Sequence, residues 1–216
     1  MSIRTDMAAE SFSQAGGAEK LQGVKVKNKV IENARLKVTD ITIETQEAAE
    51  KLGRPVGRYI TLTATDSTFD MYSDSFRERA EVIAKAIGEL CGDCERFLAV
   101  GLGNYALTSD AVGPLTAEKI FATRHIKSLA KEIDTDDLGE VTVIQTGVLG
   151  NTGIESSEQV KAIAERVTPQ AVIAVDALAC SELSNLGRTI QLCNTGISPG
   201  SGVENARKEL SLSTLG

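Results

Sequence analysis

Two aspartates carry the chemistry that this sequence offers. Asp110 lies in Thr108-Ser-Asp-Ala-Val-Gly-Pro114, downstream of the apolar stretch Phe97-Leu-Ala-Val100 and the turn Gly101-Leu-Gly-Asn104. Asp176 closes the apolar stretch Ala171-Val-Ile-Ala-Val175 and is followed by Ala-Leu-Ala179. A carboxylate at the carboxyl end of a buried strand stands where open α/β sheets hold their ligands. Two of them on neighbouring strands can share a proton. One then accepts a proton from water while the other hydrogen-bonds a carbonyl, the division of labour that peptide hydrolysis needs. Taken singly, Asp110 also reads as a helix N-cap. Asp176 also reads as an enclosed carboxylate satisfied by its neighbours.

The other motifs are weaker. Gly101-Leu-Gly-Asn-Tyr-Ala106 fits G-x-G-x-x-A, but a dinucleotide fold would end its second strand on an acid, where Gln145, Thr146 and Gly147 stand. The glycines are read instead as letting backbone pass close to Asp110 or to a substrate chain. Gly101, Gly103 and Asn104 are therefore candidate substrate contacts. Amides of this turn, or of the Gly150–Gly153 turn at a helix start, are candidates to hold a developing oxyanion, which brings in Gly153. Cys91-Gly-Asp-Cys94 has redox or zinc spacing, but no second CxxC follows. His125, the one histidine, sits in Ala122-Thr-Arg-His-Ile126 and reads as a structural helix residue, with ligand or base as the alternative. No metal and no cofactor is expected.

The elements that must position the aspartates follow from periodicity. Val24–Val30, Leu36–Ile43 and Tyr59–Thr63 alternate apolar and polar residues as half-exposed strands, with a short helix over 45–52. Phe76, Ala80, Ile83, Ile87 and Leu90 make one helical stripe behind the capping-box pattern Ser75-Phe-Arg-Glu78. Strands at 97–100, 141–144, 171–175 and 189–192 alternate with helices at 111–126 and 180–186 and with a helix opened by the capping-box pattern Thr152-Gly-Ile-Glu155 and striped by Val160, Ile163, Ala164 and Val167. This predicts an α/β fold with a mixed, mostly parallel sheet and helices on both faces. Residues 1–22 read as a flexible arm. Leu212–Gly216 reads as the lead-in to a further strand, so a truncated carboxyl end is expected.

Bulk composition bounds the function. With 216 residues, 42% hydrophobic and 25% charged, the chain has ordinary globular composition, and its core must be aliphatic because aromatics are 4% and Trp is absent. The net charge of -7 argues against a nucleic-acid partner. No apolar run approaches the ~18 residues of a membrane span, and the amino terminus lacks a signal core. A cytoplasmic protein with reduced cysteines is expected.

Read in order, a dozen segments resemble the spore germination protease family, endopeptidases that start the degradation of small acid-soluble spore proteins. They include Ser2-Ile-Arg-Thr-Asp-Met-Ala8, Gly57-Arg-Tyr59, Val100-Gly-Leu-Gly-Asn104, Thr108–Pro114, Thr123-Arg-His125, Gly147-Val-Leu-Gly150, Thr152-Gly-Ile-Glu155, Ile173–Ala179 and Lys208-Glu-Leu-Ser211. The resemblance implies a phosphorylase/hydrolase-like fold similar to hydrogenase-maturing endopeptidases, a homotetramer, and a place in the spore core. It implies that Asp110 and Asp176 are the essential aspartates. It also implies a zymogen. Family substrates are cut after an acidic residue and before a hydrophobic one followed by Ala, and Asp6-Met7-Ala8 fits. Residues 1–6 would be the propeptide and 7–216 the peptidase domain. A preference for an acidic residue points to a basic group, with Arg124 as first candidate and Arg207 or Lys208 behind it. Three other readings stay open: a metal-dependent hydrogenase-maturation-type peptidase, in which His125 would reach both aspartates; a peptidyl-tRNA hydrolase-like enzyme; and a nucleotide-binding module on the Gly101 turn.

Overall fold

The computed structural model describes residues 5–16, 21–129, 134–135, 138–198 and 208–215. The chain divides into two compact units, Met1–Gly92 with Leu178–Thr195, and Asp93–Ala177 with Gly196–Gly216.

The first unit is built on an antiparallel sheet of β1 (Val24–Ile31), β2 (Leu36–Ile43), β3 (Gly57–Ala64) and β7 (Thr189–Cys193), in that order. Because side chains alternate along a strand, β3 feeds two cores. Tyr59 packs with Ile41, Ile43, Ala8, Ala48 and Leu52, under helices α1 (Ala8–Gln14) and α2 (Gln46–Leu52). Ile60 and Leu62 face the other way, onto Val82, Ile83, Ala86 and Leu90 of α3 (Phe76–Cys91). The stripe expected on α3 is therefore only partly right: Phe76 is half exposed, whereas Arg79 is buried. Nor does Ser75 cap α3 with its side chain; its hydroxyl meets that of Ser73.

The second unit is a parallel sheet in the order β5-β4-β6, from β4 (Arg96–Leu102), β5 (Glu140–Gly147) and β6 (Ala171–Val175). Leu98, Val100 and Leu102 of β4 pack with Val160 of α7 (Ser156–Val167). The alternate residue Gly101 faces α4 (Val112–Lys119), against Gly113 and Ala117. Helices thus cover both faces of this sheet, as the residue pattern requires. The short helices α5 (Arg124–Leu129), α6 (Leu149–Thr152) and α8 (Leu212–Leu215) complete the unit.

Three expectations need correction. The fold is mixed α/β, but the parallel portion is confined to three strands, because β7 pairs antiparallel with β3 (Leu62 opposite Ile190) instead of extending the parallel sheet. The segment expected to be helical at 180–186 holds only a 3-10 turn at Leu183–Asn185. The amino-terminal segment is not a free arm where it is described: it enters α1 with Met7 and Ala8 buried.

Polar groups fasten that segment. Glu10 accepts from the Ser181 amide (2.9 Å), the Ser181 hydroxyl (2.6 Å), the Glu182 amide (3.3 Å) and Asn185 Nδ2 (2.7 Å). Burial pushes the Glu10 carboxyl up, but donors on Ser181, Thr5 and Asn185 outweigh it and pull the pKa down to about 2. A depressed carboxyl pKa stabilises the fold above the unfolded value near 4.5, and that contribution fades as pH falls toward 2. Glu10→Gln is therefore expected to cost about 2 kcal/mol at pH 7. The gap from wild type should close as pH drops below 4, measured by urea unfolding at matched pH. An equal gap at pH 7 and pH 3 would contradict this.

Candidate active site

All three strands of the parallel sheet run the same way, so their carboxyl ends form one edge. Gly101 pairs with Val175, which places Asp176, the next residue, beside Leu102 at that edge. Asp110 returns to the same edge through the 3-10 turn Thr108–Asp110, and its Oδ2 accepts from the Asn104 amide at 2.9 Å. Asp110 does not cap α4; Ala111 holds that position and makes no side-chain cap bond. Asp176 Oδ1 accepts from the Ala177 amide at 2.9 Å. Both aspartates are half-buried.

Glycine makes this approach possible. A Cβ on Gly113 would stand 2.1 Å from the Leu102 carbonyl oxygen and 2.4 Å from that of Val175. The amino end of α4 therefore seats its bare backbone on the ends of β4 and β6 at once, three residues after Asp110 and against the residue before Asp176. Gly103 has φ +110, and a Cβ there would meet the Asp110 carbonyl oxygen at 2.2 Å. Gly113→Ala is expected to destabilise by about 2 kcal/mol through overpacking and to slow turnover by misplacing both carboxylates. Denaturant unfolding and a cleavage assay check the two effects; unchanged values in both would contradict the seating described.

The other candidate contacts fall differently. Gly101 is buried against the Gly113 carbonyl, and Gly103 is buried against Asp110, so both serve packing. The Asn104 amide positions Asp110, and Asn104 Oδ1 accepts from the Ala106 amide at 3.0 Å. Gly153 ends α6 in the left-handed conformation with φ +71, and its amide donates to Leu149 at 2.8 Å. At the same edge α7 begins, with the Ser156 hydroxyl bound to Thr146 Oγ1 at 3.1 Å. The capping box expected at Thr152–Glu155 gives way to Glu155 at the cap position of α7.

Arg124 and His125 are not brought to this edge. The amide of Thr123 donates to Val141 at 3.0 Å and Arg124 pairs with Glu140 at 3.2 Å, both at the amino end of β5. At about 3.3 Å per residue, that end lies roughly 20 Å along the strand from its carboxyl end. Lys208 pairs with Glu158 in the first turn of α7 at 3.1 Å. Arg207, residues 1–4 and residues 199–206 lie outside the described residues. Among the described residues no group of three or more His, Cys, Asp or Glu is placed to hold a metal ion, and no helix is long and apolar enough to cross a membrane. Asp6 and Met7 belong to the first unit, Asp6 bound to Ala179 and Met7 buried.

The sequence pattern of the germination protease family matches residues 3–216. The chain belongs to the germination protease family. It is 39% identical to the germination protease of Clostridium tetani over 222 residues, covering all of this chain and 67% of that protein. Identity is also 39% over 218 residues to that of Caldanaerobacter subterraneus, and 37% over 229 residues to that of Priestia megaterium, with 66% and 60% of those proteins covered. The chain thus spans about two thirds of the length of the curated relatives it matches. What sequence reasoning missed at this edge is Gly113. Its signal was a Gly-Pro pair in the first turn of a helix directly after an aspartate.

Proposed function

We propose that the chain is an endopeptidase whose water is activated by Asp110 and Asp176. The observation that carries this reading is the placement of both carboxylates at the carboxyl edge of adjacent parallel strands, with α4 seated on both strand ends. One carboxylate removes a proton from water as the oxygen adds to the scissile carbonyl carbon. The other, protonated, donates to the carbonyl oxygen. Collapse of the tetrahedral intermediate breaks the C–N bond as a proton passes to the leaving nitrogen. The amino end of the twelve-residue α7 opens at the same edge and offers first-turn amides to the developing oxyanion.

Family membership supports the substrate: small acid-soluble spore proteins, degraded in the spore core during germination. On the same ground we read the chain as a zymogen that cuts itself between Asp6 and Met7, with 1–6 as propeptide and 7–216 as peptidase domain. It further supports a homotetramer and a fold of the hydrogenase-maturing endopeptidase type. The metal-dependent alternative loses its third ligand, because His125 stands at the amino end of β5. Incubating the purified chain with a small acid-soluble spore protein and mapping the new amino termini tests the reading. Cuts after acidic residues are expected; an intact substrate, or cuts at unrelated bonds, would refute it.

A further inference from the structure

The geometry points to Gln191 as a clamp that withholds the Asp6–Met7 bond from hydrolysis. The inference rests on the reading that this bond is the processing site, and it names the control of that step. Gln191, on β7, reaches across the bond with both ends of its amide. Its Nε2 donates to the Asp6 carbonyl oxygen at 3.0 Å, and its Oε1 accepts from the Ala8 amide at 2.6 Å. The Met7 amide donates to Thr5 Oγ1 at 3.0 Å. Both polar atoms of the peptide to be cut are therefore already engaged.

The flanks are held as well. The Asp6 amide donates to the Ala179 carbonyl at 2.9 Å, and the Ala179 amide returns a bond to Asp6 Oδ2 at 3.2 Å. Arg54 Nη2 donates to the Thr5 carbonyl. The Met7 side chain, which would have to enter a protease subsite, is 2% exposed. Hydrolysis needs an extended, accessible peptide whose carbonyl can meet new donors. This one must first leave β7, so its cleavage rate is set by the population of a locally opened state. Gln191 holds both the carbonyl of the residue before the bond and the amide two residues on. Glutamine suits the task because one planar amide supplies a donor and an acceptor together.

The test uses an added protease that cuts after acidic residues, acting on the Asp110→Asn chain, with appearance of a Met7 amino terminus followed by mass spectrometry. The wild-type segment should be cut at Asp6–Met7 at least about a hundredfold more slowly than a free peptide of residues 1–12. Gln191→Leu, which keeps the volume and removes both bonds, should speed that cut about tenfold. Gln191→Glu keeps the acceptor for Ala8 but turns an oxygen toward the Asp6 carbonyl. It should be cut fast at pH 7 and regain protection as the carboxyl is protonated below pH 5, an effect that a merely structural residue would not show. Cleavage of the folded chain as fast as the peptide, or identical rates in all three chains, would overturn the clamp. The peptide comparison needs no position-191 variant, so it stays decisive if Gln191→Leu fails to fold. If the Asp110→Asn chain still cuts itself, the dyad falls, while the added-protease rates, corrected for that background, still judge the clamp.

Discussion

Asp110→Asn and Asp176→Asn should each lower the cleavage rate by about a thousandfold or more, the scale of a lost general acid or base. Asparagine matches aspartate in shape and keeps an oxygen for the Asn104 amide at position 110 and for the Ala177 amide at position 176. The fold should hold, with melting temperatures within about 3 °C of wild type. What disappears is the capacity to take and return a proton. Because the proposed pair acts as a unit, the double variant should be scarcely slower than either single one. The measurement is initial rate on a small acid-soluble spore protein, with far-ultraviolet circular dichroism as the folding control. Retention of a tenth of wild-type activity by either variant would end the proposal that this pair drives hydrolysis.

The largest stability effect is expected at Arg79, 2% exposed in the first unit. Its Nε donates to the Ala34 carbonyl at 3.1 Å, its Nη1 to the Thr68 carbonyl at 3.1 Å, and its Nη2 to Asp66. The guanidinium also lies over the Phe69 ring, 5.5 Å from its centroid. Arg35 pairs with the same Asp66 at 2.9 Å. That Arg35 guanidinium, with the Ser67 amide, outweighs burial and holds the Asp66 carboxyl well below the usual carboxylate range. Arg79→Met fills the volume but strands two carbonyls, so it should cost about 3 kcal/mol. Arg79→Lys keeps the charge and loses the fork, and should recover less than half of that. Urea midpoints at constant slope measure both. A loss below about 1 kcal/mol for Arg79→Met would show that water replaces the arginine without penalty.

How much of this was readable beforehand follows from the range of each interaction. Strands β1 to β3 announce themselves by alternation, β4 and β6 by short apolar runs, and α3 and α7 by their stripes, because those signals are local. The position of both aspartates at the carboxyl edge was legible for a similar reason: Asp176 directly follows β6, and Asp110 ends the short turn after β4. The helix α1 was not. It is rich in Ala, Ser and Gln, and what orders it is Glu10 bound to Ser181 and Asn185, some 170 residues away. Arg79 did not stand out in the stripe of α3, because a buried cation is recognisable only once Asp66, Ala34 and Thr68 surround it. Gly101 and Gly103 were correctly seen as places where backbone comes close. Which backbone comes close, that of Gly113 and Asp110, depends on how α4 docks, and no local pattern carries that.

The position of β7 has a consequence for synthesis. While the protein is being made, β1, β2 and β3 can pair as soon as they leave the ribosome. The outer edge of β3 then waits for a partner whose first residue, Thr189, follows Ala64 by more than a hundred positions. At about 5–20 residues per second that wait is on the order of ten seconds. Throughout it, the nascent chain presents an unpaired row of amides and carbonyls along Tyr59–Leu62, flanked by apolar side chains. Such a row is a template for pairing with a sister chain on the same messenger. The elongating polypeptide is therefore most open to aggregation just before its seventh strand emerges.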